Sequence, residues 1–326
     1  MFRKLIVAMT AFAAIFAASE SARADKVTLN IGTLAPPDSK WGHYFKVWST
    51  AVDNETHGAV GLNWYWNGSQ GDEVKMVKLM RDKRLDGAAI TATGLGQIYP
   101  HIIALQMLDS WDKVDAARTR LQPKINAAFA NEHFVIVGSG DVGIAHIMST
   151  GEPIKVPSDL ANRKTSHIAG DPIGKAVLEA ARARAQPIEV PQIFPALSSN
   201  QIEVINAPSL AAEQLQWGSI LTSINTMPTG CSIGSLIFFD GDGSAYHNLP
   251  QDAKDALART GANTGKLLTG KIRAMDNEAF ERFKGRMHVY TPDAAALEEW
   301  RKHREIVKGK LRGTAINAEF FDAALQ

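Results

Sequence analysis

Residues 230–234 have the sequence Gly-Cys-Ser-Ile-Gly and match the Gly-x-Ser-x-Gly pattern around the nucleophile of many serine hydrolases. In that motif a strand precedes the serine and a helix follows it, so that the hydroxyl stands exposed on a sharp turn. Here residues 236–239 are apolar and strand-like. We therefore favour a strand of small residues, and a hydrolase that uses Ser232 stays an alternative. The single cysteine, Cys231, is expected to be a small buried side chain.

No other motif predicts a metal, a cofactor or catalysis. Residues 240–251 begin like a calcium-binding EF-hand loop, but Ala245 replaces the required glycine and Gln251 replaces the bidentate glutamate. Residues 94–96 (Gly-Leu-Gly) lack the third glycine of a dinucleotide-binding loop, and the nine histidines show no zinc-ligand spacing. We predict no cofactor, no metal site and no catalytic residue, which favours a protein that binds a ligand without converting it.

Polar and aromatic side chains recur in the loops that follow predicted strands. In open α/β sheets, ligands bind beyond the carboxyl ends of the strands, beside helix N-termini. We therefore predict a site for a small polar solute, held there by a few directed hydrogen bonds. Ser39, Asp72 and Asp171 also suit helix N-caps, and for these three, capping and ligand contact stay equal alternatives. The candidate ligand-binding residues in these loops are Trp41, Gln70, Asp72, Glu73, Thr91, Thr93, Asp171, Asn206 and Ser209.

Alternating strands and helices must position these loops. Periodicity predicts a first group with strands at 27–31, 62–66, 87–92 and 134–138 and helices at 41–56, 73–83 and 113–131. It predicts a second group with strands at 164–168, 187–190 and 203–207 and helices at 171–185, 192–199 and 208–217. Repeated βα units in two groups predict two parallel-type sheets and hence two α/β lobes.

The C-terminal third has a different pattern, with a strand at 236–239 and long helices at 251–284 and 293–310. The glycine-rich residues 138–143 lie between the two groups and are predicted to cross between the lobes, with hinges near 140–145 and 230–234. We predict that lobe I comprises residues 25–144 with about 233–272. Lobe II then comprises residues 145–232 with about 273–326.

The N-terminus has the features of a secretory signal peptide. Arg3 and Lys4 precede an almost entirely apolar stretch at 5–18, and residues 22–24 (Ala-Arg-Ala) match the cleavage signature. We predict cleavage after residue 24 and a periplasmic location. Loss of three basic residues and one acidic residue changes the formal net charge from +1 to −1, which gives no electrostatic basis for binding nucleic acid. No later segment is apolar over about 18 residues, so we predict that the mature chain is not inserted in a membrane.

The order of several motifs resembles that of the DctP-type extracytoplasmic solute receptors of tripartite ATP-independent periplasmic (TRAP) transporters. The motifs span about residues 25 to 220 and are IGTLAP at 31–36 with Trp41-Gly42, GSQGDE at 68–73 with Met76 and Met80, LDGA at 85–88, Pro153-Ile154 with PSDL at 157–160, and FPAL at 194–197 with Ile202-Glu203 and Pro208.

This resemblance implies the Venus-flytrap fold of periplasmic binding proteins. In that fold two α/β lobes share a cleft, and a long C-terminal helix braces both lobes. The resemblance also implies a function, the capture of a small organic solute, typically an organic acid, and its delivery to TRAP membrane subunits. We expect a monomer. A periplasmic protein that presents its ligand to a membrane sensor would share these features and stays an alternative.

Two histidines stand where the resembling family has arginines. The family usually has an arginine that clamps the ligand carboxylate in the strand after the Asp159-Leu160 turn, and His167 occupies that position. A second arginine near the lobe crossing corresponds to His146. A histidine is mostly neutral at pH 7 and cannot reproduce a bidentate guanidinium. We predict that both histidines face the cleft and contact either a neutral or aromatic solute, or an acid that binds with proton uptake; the alternative is that they are ordinary strand histidines.

Overall fold

The computed structural model describes residues 26–326, so the predicted signal peptide and its cleavage site lie outside the described residues. The strands in this part are β1 (Val27–Thr33), β2 (Val60–Tyr65), β3 (Gly87–Thr91), β4 (Phe134–Ser149), β5 (Ser166–Ile168), β6 (Gln186–Ile188), β7 (Val204–Pro208), β8 (Ser223–Asn225), β9 (Gly230–Phe239) and β10 (His288–Tyr290). The α-helices are α1 (Lys40–Glu55), α2 (Glu73–Arg81), α3 (Ala92–Leu95), α4 (Trp111–Asn131), α5 (Pro172–Ala180), α6 (Ile193–Ser198), α7 (Ser209–Gln214), α8 (Gln251–Lys284), α9 (Ala294–Leu311) and α10 (Ala318–Leu325). Shorter 3-10 helices lie at Pro100–Met107, Pro157–Asn162, Val190–Gln192 and Trp217–Ser219.

The strands form a mixed sheet with the order β10-β8-β4-β9-β3-β1-β2, and β7 also pairs with β4. Strand β1 is parallel to β2 and β3, whereas β9 is antiparallel to β3 and β4, and β4 is antiparallel to β7 and β8. Strands β5 and β6 form a parallel pair that adjoins β7 through a bridge between Thr165 and Val204. The α/β prediction is confirmed, but the prediction of two parallel-type sheets is wrong because β4 and β9 run through both groups.

The two central strands, β4 and β9, carry the chain between the groups. Strand β4 is 16 residues long and continues through the glycine-rich residues 138–143. It pairs with β9 from Phe134 opposite Phe239 to Ala145 opposite Gly230, with register irregularities near positions 137 and 142. Both predicted hinge segments therefore lie inside paired strands, and neither is a free linker.

Helix α8 has the predicted bounds and lies along β4. It follows Pro250, and its backbone approaches β4 closely where it has glycines. A Cβ on Gly265 would lie 2.3 Å from the carbonyl oxygen of Ser139, so no larger residue fits without displacing the helix. Helix α8 also contacts α1 of the first group and α7 of the second, and it thereby braces both sides of the molecule.

We call the side that contains β1–β3 lobe I and the side that contains β5–β8 lobe II. Helix α9 packs against α5 of lobe II, whereas α10 packs against α4 and the 3-10 helix Pro100–Met107 of lobe I. Residues 273–326 therefore divide their contacts between the lobes, and the domain boundaries given above stay a prediction.

Each lobe has a large buried core. Trp48 and Phe238 belong to a cluster under α1 and α8, and Trp217, Ile224 and Phe283 belong to a cluster in lobe II. Burial of such side chains stabilises the fold by about 1.5–3 kcal/mol each relative to exposure. Among residues 26–326, no helix is both long enough and apolar enough to cross a membrane.

Candidate ligand-binding site

A deep cleft lies between the lobes, where strands of both lobes end. Its volume is about 650 Å³, which is within the range of small-molecule sites. Of the predicted residues, the cleft is lined by Trp41, Asp72, Glu73, Thr91, Thr93, His167, Asp171 and Asn206. Gln70, His146 and Ser209 are not part of this lining.

The lobe I wall is organised by the buried carboxylate of Glu73, at the start of α2. This carboxylate accepts hydrogen bonds from the Thr91 backbone nitrogen (2.8 Å), the Thr91 hydroxyl (2.7 Å) and the Gly94 nitrogen (3.0 Å). Burial raises the pKa of Glu73, and the hydrogen bonds oppose that rise. Glu73 and Thr91 therefore join α2 to the end of β3 and shape the wall. The Thr93 hydroxyl forms no such hydrogen bond within residues 26–326.

Asp72 and Asp171 both cap helices. Asp72 accepts from the nitrogen of Lys75 (3.0 Å), and Asp171 accepts from the nitrogens of Ile173 (2.9 Å) and Gly174 (3.1 Å). Burial raises the pKa of the Asp171 carboxyl, while the two helix nitrogens lower it. These hydrogen bonds show the capping role. Both aspartates also line the cleft, and their contact with a ligand stays a prediction.

Trp41 connects the cleft to a buried ionic network. Its indole nitrogen donates to the carbonyl oxygen of Asp141 at 3.4 Å. The Asp141 carboxylate is fully buried and lies 2.6 Å from both Arg118 and Arg273, and Arg273 also forms two hydrogen bonds to Asp115. The sequence gives no sign of this network because its members are up to 158 residues apart in the chain.

His167 lines the cleft from β5, with Nδ1 2.9 Å from the carbonyl oxygen of Ile168. A carbonyl oxygen can only accept, so this contact places a proton on Nδ1. In the neutral ring, Nε2 is then an acceptor, and it can donate to a ligand carboxylate only after a second proton binds. A positive charge on His167 would interact favourably with the nearby carboxylate of Asp171.

Asn206 offers a neutral donor from β7. Its Oδ1 accepts from the Thr229 hydroxyl at 2.7 Å, which orients the amide. The amide nitrogen forms no hydrogen bond with residues 26–326 and can donate to a ligand.

His146 does not face the cleft, contrary to the prediction. Side chains alternate along a strand, and its neighbours Ala145 and Ile147 are the ones that line the cleft. On the opposite face the imidazole is 6% exposed and stacks on Phe280 of α8, with ring centroids 4.2 Å apart. Burial lowers the pKa of His146 to about 4, so the ring is neutral and belongs to the packing between β4 and α8.

Gln70 and Ser209 also lie outside the cleft lining, contrary to the prediction. Gln70 lies in a tight turn with left-handed residues at Gly68 and Gly71, and that turn meets Pro191, which is outside the cleft lining. Ser209 is fully buried at the start of α7, where this helix packs against α8. Both positions follow strands, but their local packing turns them away from the cleft.

Helix α9 supplies a wall that the sequence analysis did not anticipate. Its cleft-lining residues recur at helical spacing and are Leu297, Trp300, Arg301, His303, Arg304 and Val307. Arg304 contacts the Asp109 carboxylate at 3.0 Å and the Met107 carbonyl oxygen, which ties α9 to lobe I. The amphipathic pattern of α9 can be read from the sequence, but the sequence does not indicate that the apolar face of this helix covers a cleft.

The two lobes touch across the cleft in this structure. Gly170 of lobe II has a φ of +83°, and a Cβ at this position would lie 2.8 Å from Val74 Cγ2 of lobe I. The nitrogen of Lys40 in lobe I donates to the side-chain oxygen of Gln214 in lobe II at 3.0 Å. The lobes therefore contact each other at the edge of the cleft.

The hydrolase alternative fails on the local structure. Ser232 lies within β9, and the chain continues as strand for seven more residues, so no strand-to-helix turn exposes its hydroxyl. Within the described residues, Ser232 makes no hydrogen bond to a histidine or a carboxylate. Cys231 is buried as expected, and burial raises its pKa to about 12, which rules out a reactive thiolate.

Comparison with known proteins identifies both a family and a fold. The family model for "Bacterial extracellular solute-binding protein, family 7", DctP, matches residues 31–310. A search among curated proteins finds no match by sequence.

Solved structures of similar fold include several binding proteins with ligands. A TRAP periplasmic solute-binding protein from Sulfurospirillum deleyianum with bound succinate has a TM-score of 0.83 and 14% identity, covering 93% of this chain and 100% of that chain. The sugar acid binding protein DctPAm from Advenella mimigardefordensis, in complex with galactonate, has a TM-score of 0.84 and 14% identity over 92% and 98% of the two chains. A protein from Desulfovibrio salexigens with bound orotic acid has a TM-score of 0.80 and 16% identity over 91% and 96%. At these identities the similarity shows a shared fold.

Proposed function

Since the chain belongs to the DctP family, family 7 of the bacterial extracellular solute-binding proteins, we propose that it captures a small organic acid in its interlobe cleft. Membership in this family makes it a solute-binding receptor and not an enzyme. The bound succinate, galactonate and orotic acid of the similar structures support an organic acid as the solute class. We propose that a periplasmic monomer, processed after Ala24, delivers this acid to the membrane subunits of a TRAP transporter.

The observation that carries the proposal is the cleft itself. Residues that follow strands of lobe I and of lobe II converge on one enclosed space, and α9 closes a further side. The contact of Gly170 with the lobe I residue Val74 supports a trap that closes over its ligand. Closure removes water from the site, which strengthens each hydrogen bond to the solute.

We propose that His167 contacts the ligand carboxylate in place of an arginine. The proton on Nδ1 is held by the Ile168 carbonyl oxygen, so Nε2 must gain a proton before it can donate to an anion. Binding of a carboxylate should therefore be accompanied by the uptake of up to one proton. Affinity for the acid should then rise as the pH falls.

The test begins with the natural ligand. Protein purified under native conditions is denatured, and the released small molecule is identified by mass spectrometry. The same compound is then titrated by calorimetry in two buffers of different ionisation enthalpy, which measures proton uptake directly. Release of an organic acid supports the proposed function, whereas release of an uncharged or cationic solute contradicts it.

The role of His167 has its own control. His167→Gln should abolish the proton uptake and weaken binding of the acid, while His288→Gln, at an exposed histidine of β10, should change neither. If an acid binds both variants and the parent protein with equal affinity and without proton uptake, His167 does not contact the ligand carboxylate.

A further inference from the structure

The ionisable side chains that line the cleft are predominantly acidic. The lining contains five carboxyl groups, those of Asp72, Glu73, Asp109, Asp141 and Asp171, and two guanidinium groups, those of Arg301 and Arg304. It also contains two histidines, His167 and His303, and burial lowers the pKa of His303, which favours its neutral form. No lysine contributes to this lining in the described chain. Arg118 and Arg273 balance the charge of Asp141, and Arg304 balances that of Asp109, so the carboxyl groups without a cationic partner are those of Asp72, Glu73 and Asp171. These three groups disfavour a ligand with several negative charges.

Both guanidinium groups already have carboxylate partners. Arg304 lies 3.0 Å from Asp109, and Arg301 lies 2.6 Å from Glu298. A second ligand carboxylate would have to displace one of these partners to reach a guanidinium group, or lose its water without a cation, which is unfavourable in an enclosed site. His167, after it gains a proton, can balance one negative charge.

The remaining surface is largely apolar, and most of it belongs to lobe II and α9. These side chains include Ile168, Val190, Ile205, Leu215, Trp217 and Trp300. Apart from the indole N–H groups of the two tryptophans, these side chains offer no hydrogen-bond partners to the hydroxyl groups of a sugar acid. The volume of about 650 Å³ is far larger than a four-carbon diacid requires. Apolar surface of this kind is complementary to an apolar solute body.

We infer that the solute is an organic acid with one carboxylate on a mainly apolar body, such as an aryl or branched-alkyl monocarboxylate. This inference rests on the proposed function and narrows it. Dicarboxylates and sugar acids are excluded by the absence of a second free cation in the lining and by the apolar lobe II wall. The single negative charge is met by His167 and by neutral donors such as the Asn206 amide.

Matched ligand pairs test the inference directly. Calorimetry and tryptophan fluorescence would compare hexanoate with adipate, and 3-phenylpropanoate with its para-carboxy derivative, with galactonate as a further probe. The monocarboxylate of at least one pair should bind about tenfold or more tightly than its dicarboxylate partner and than galactonate, the cost expected for one unpaired buried charge. Tighter binding of adipate, the aryl diacid or galactonate would overturn this inference and leave the proposed function intact. Failure of every acid would overturn the proposed function itself.

A pair of variants tests the apolar wall. Leu215→Asn places an amide of similar size in the cleft lining and should weaken binding of the preferred monocarboxylate by about three- to thirtyfold, since a buried leucine contact is lost. Leu267→Asn, at a position of α8 that is 48% exposed and outside the lining, should change binding less than twofold. Val190→Thr is an isosteric second variant that should weaken binding in the same direction if Leu215→Asn impairs folding. Unchanged affinity in folded Leu215→Asn and Val190→Thr would overturn the inference.

Discussion

Substitution of Asp276 tests whether a buried carboxylate couples the stability of the lobe junction to pH. Asp276 is 5% exposed on α8 and accepts hydrogen bonds from the backbone nitrogens of Ile144 (2.8 Å) and Leu210 (2.9 Å). It thus joins α8 to the crossing strand β4 and to the start of α7. Burial raises the pKa of Asp276 from its ordinary value of 3.8 to about 6, against the effect of these hydrogen bonds.

The sign of the effect follows from proton linkage. Because the folded chain holds the Asp276 proton more tightly than the unfolded chain, protonation stabilises the folded state. Stability from this group therefore rises as the pH falls through about 6 and is fully gained only below the unfolded pKa near 3.8. With these two pKa values, the gain between pH 7 and pH 5 is about 1.3 kcal/mol.

Urea unfolding followed by tryptophan fluorescence would measure this gain for the parent protein and for Asp276→Asn at pH 7 and pH 5. The asparagine cannot titrate, so the free energy of unfolding of the parent, minus that of the variant, should increase by about 1.3 kcal/mol at the lower pH. Other groups titrate equally in both proteins and cancel. Glu278→Gln, at an exposed position of the same helix, should show no such change. A difference that stays constant between the two pH values would refute the raised pKa of Asp276.

Further predictions concern packing and closure. Gly265→Ala should destabilise the protein by about 1–3 kcal/mol in urea unfolding, because its Cβ would meet a β4 carbonyl at 2.3 Å; Gly270→Ala on the same helix meets nothing within 4 Å and should stabilise by up to about 1 kcal/mol. His146→Leu should change ligand affinity by less than about twofold. The free energy of unfolding should stay the same or increase, since the substitution removes a buried polar group whose Nδ1 has no hydrogen-bond partner. A large loss of affinity would show that His146 contributes to the binding site. Gly170→Val should hold the cleft open, which would increase the radius of gyration in small-angle scattering and weaken ligand binding. Gly58 has the same φ of +83° and no neighbour within 4 Å, so Gly58→Val should lower stability through backbone strain without changing the radius of gyration or the affinity.

The regular elements were predictable wherever local signals were strong. Helix α8 starts after a proline and ends before a glycine, and both bounds follow from the sequence. Strand β4 was predicted to end at residue 138, but it continues to Ser149. Glycines normally interrupt a strand pattern, and here two register irregularities absorb them while β9 keeps the pairing intact.

The site was predictable only in part, because it depends on packing between distant segments. Thr91, Asp171 and Asn206, which were predicted from their places near strand ends, line the cleft, although Thr91 is the last residue of β3 and Asn206 lies within β7. The prediction for His146, which came from the position of an arginine in the resembling family, failed because a strand exposes alternate residues on opposite faces and only the three-dimensional sheet shows which face is the cleft. The α9 wall was missed for a related reason, since a helical stripe shows that a face is buried but not what it covers.

The lobe crossing is held more firmly than its glycine content suggests. Arg118 donates to the Gly140 carbonyl oxygen, and the Asp141 carboxylate lies between two guanidinium groups. Three residues later the nitrogen of Ile144 donates to Asp276. We therefore expect these contacts to restrict bending within residues 140–145 when the lobes rotate. The same contacts account for the buried charges of both signs beside the cleft, since Arg118 and Arg273 balance the Asp141 carboxylate.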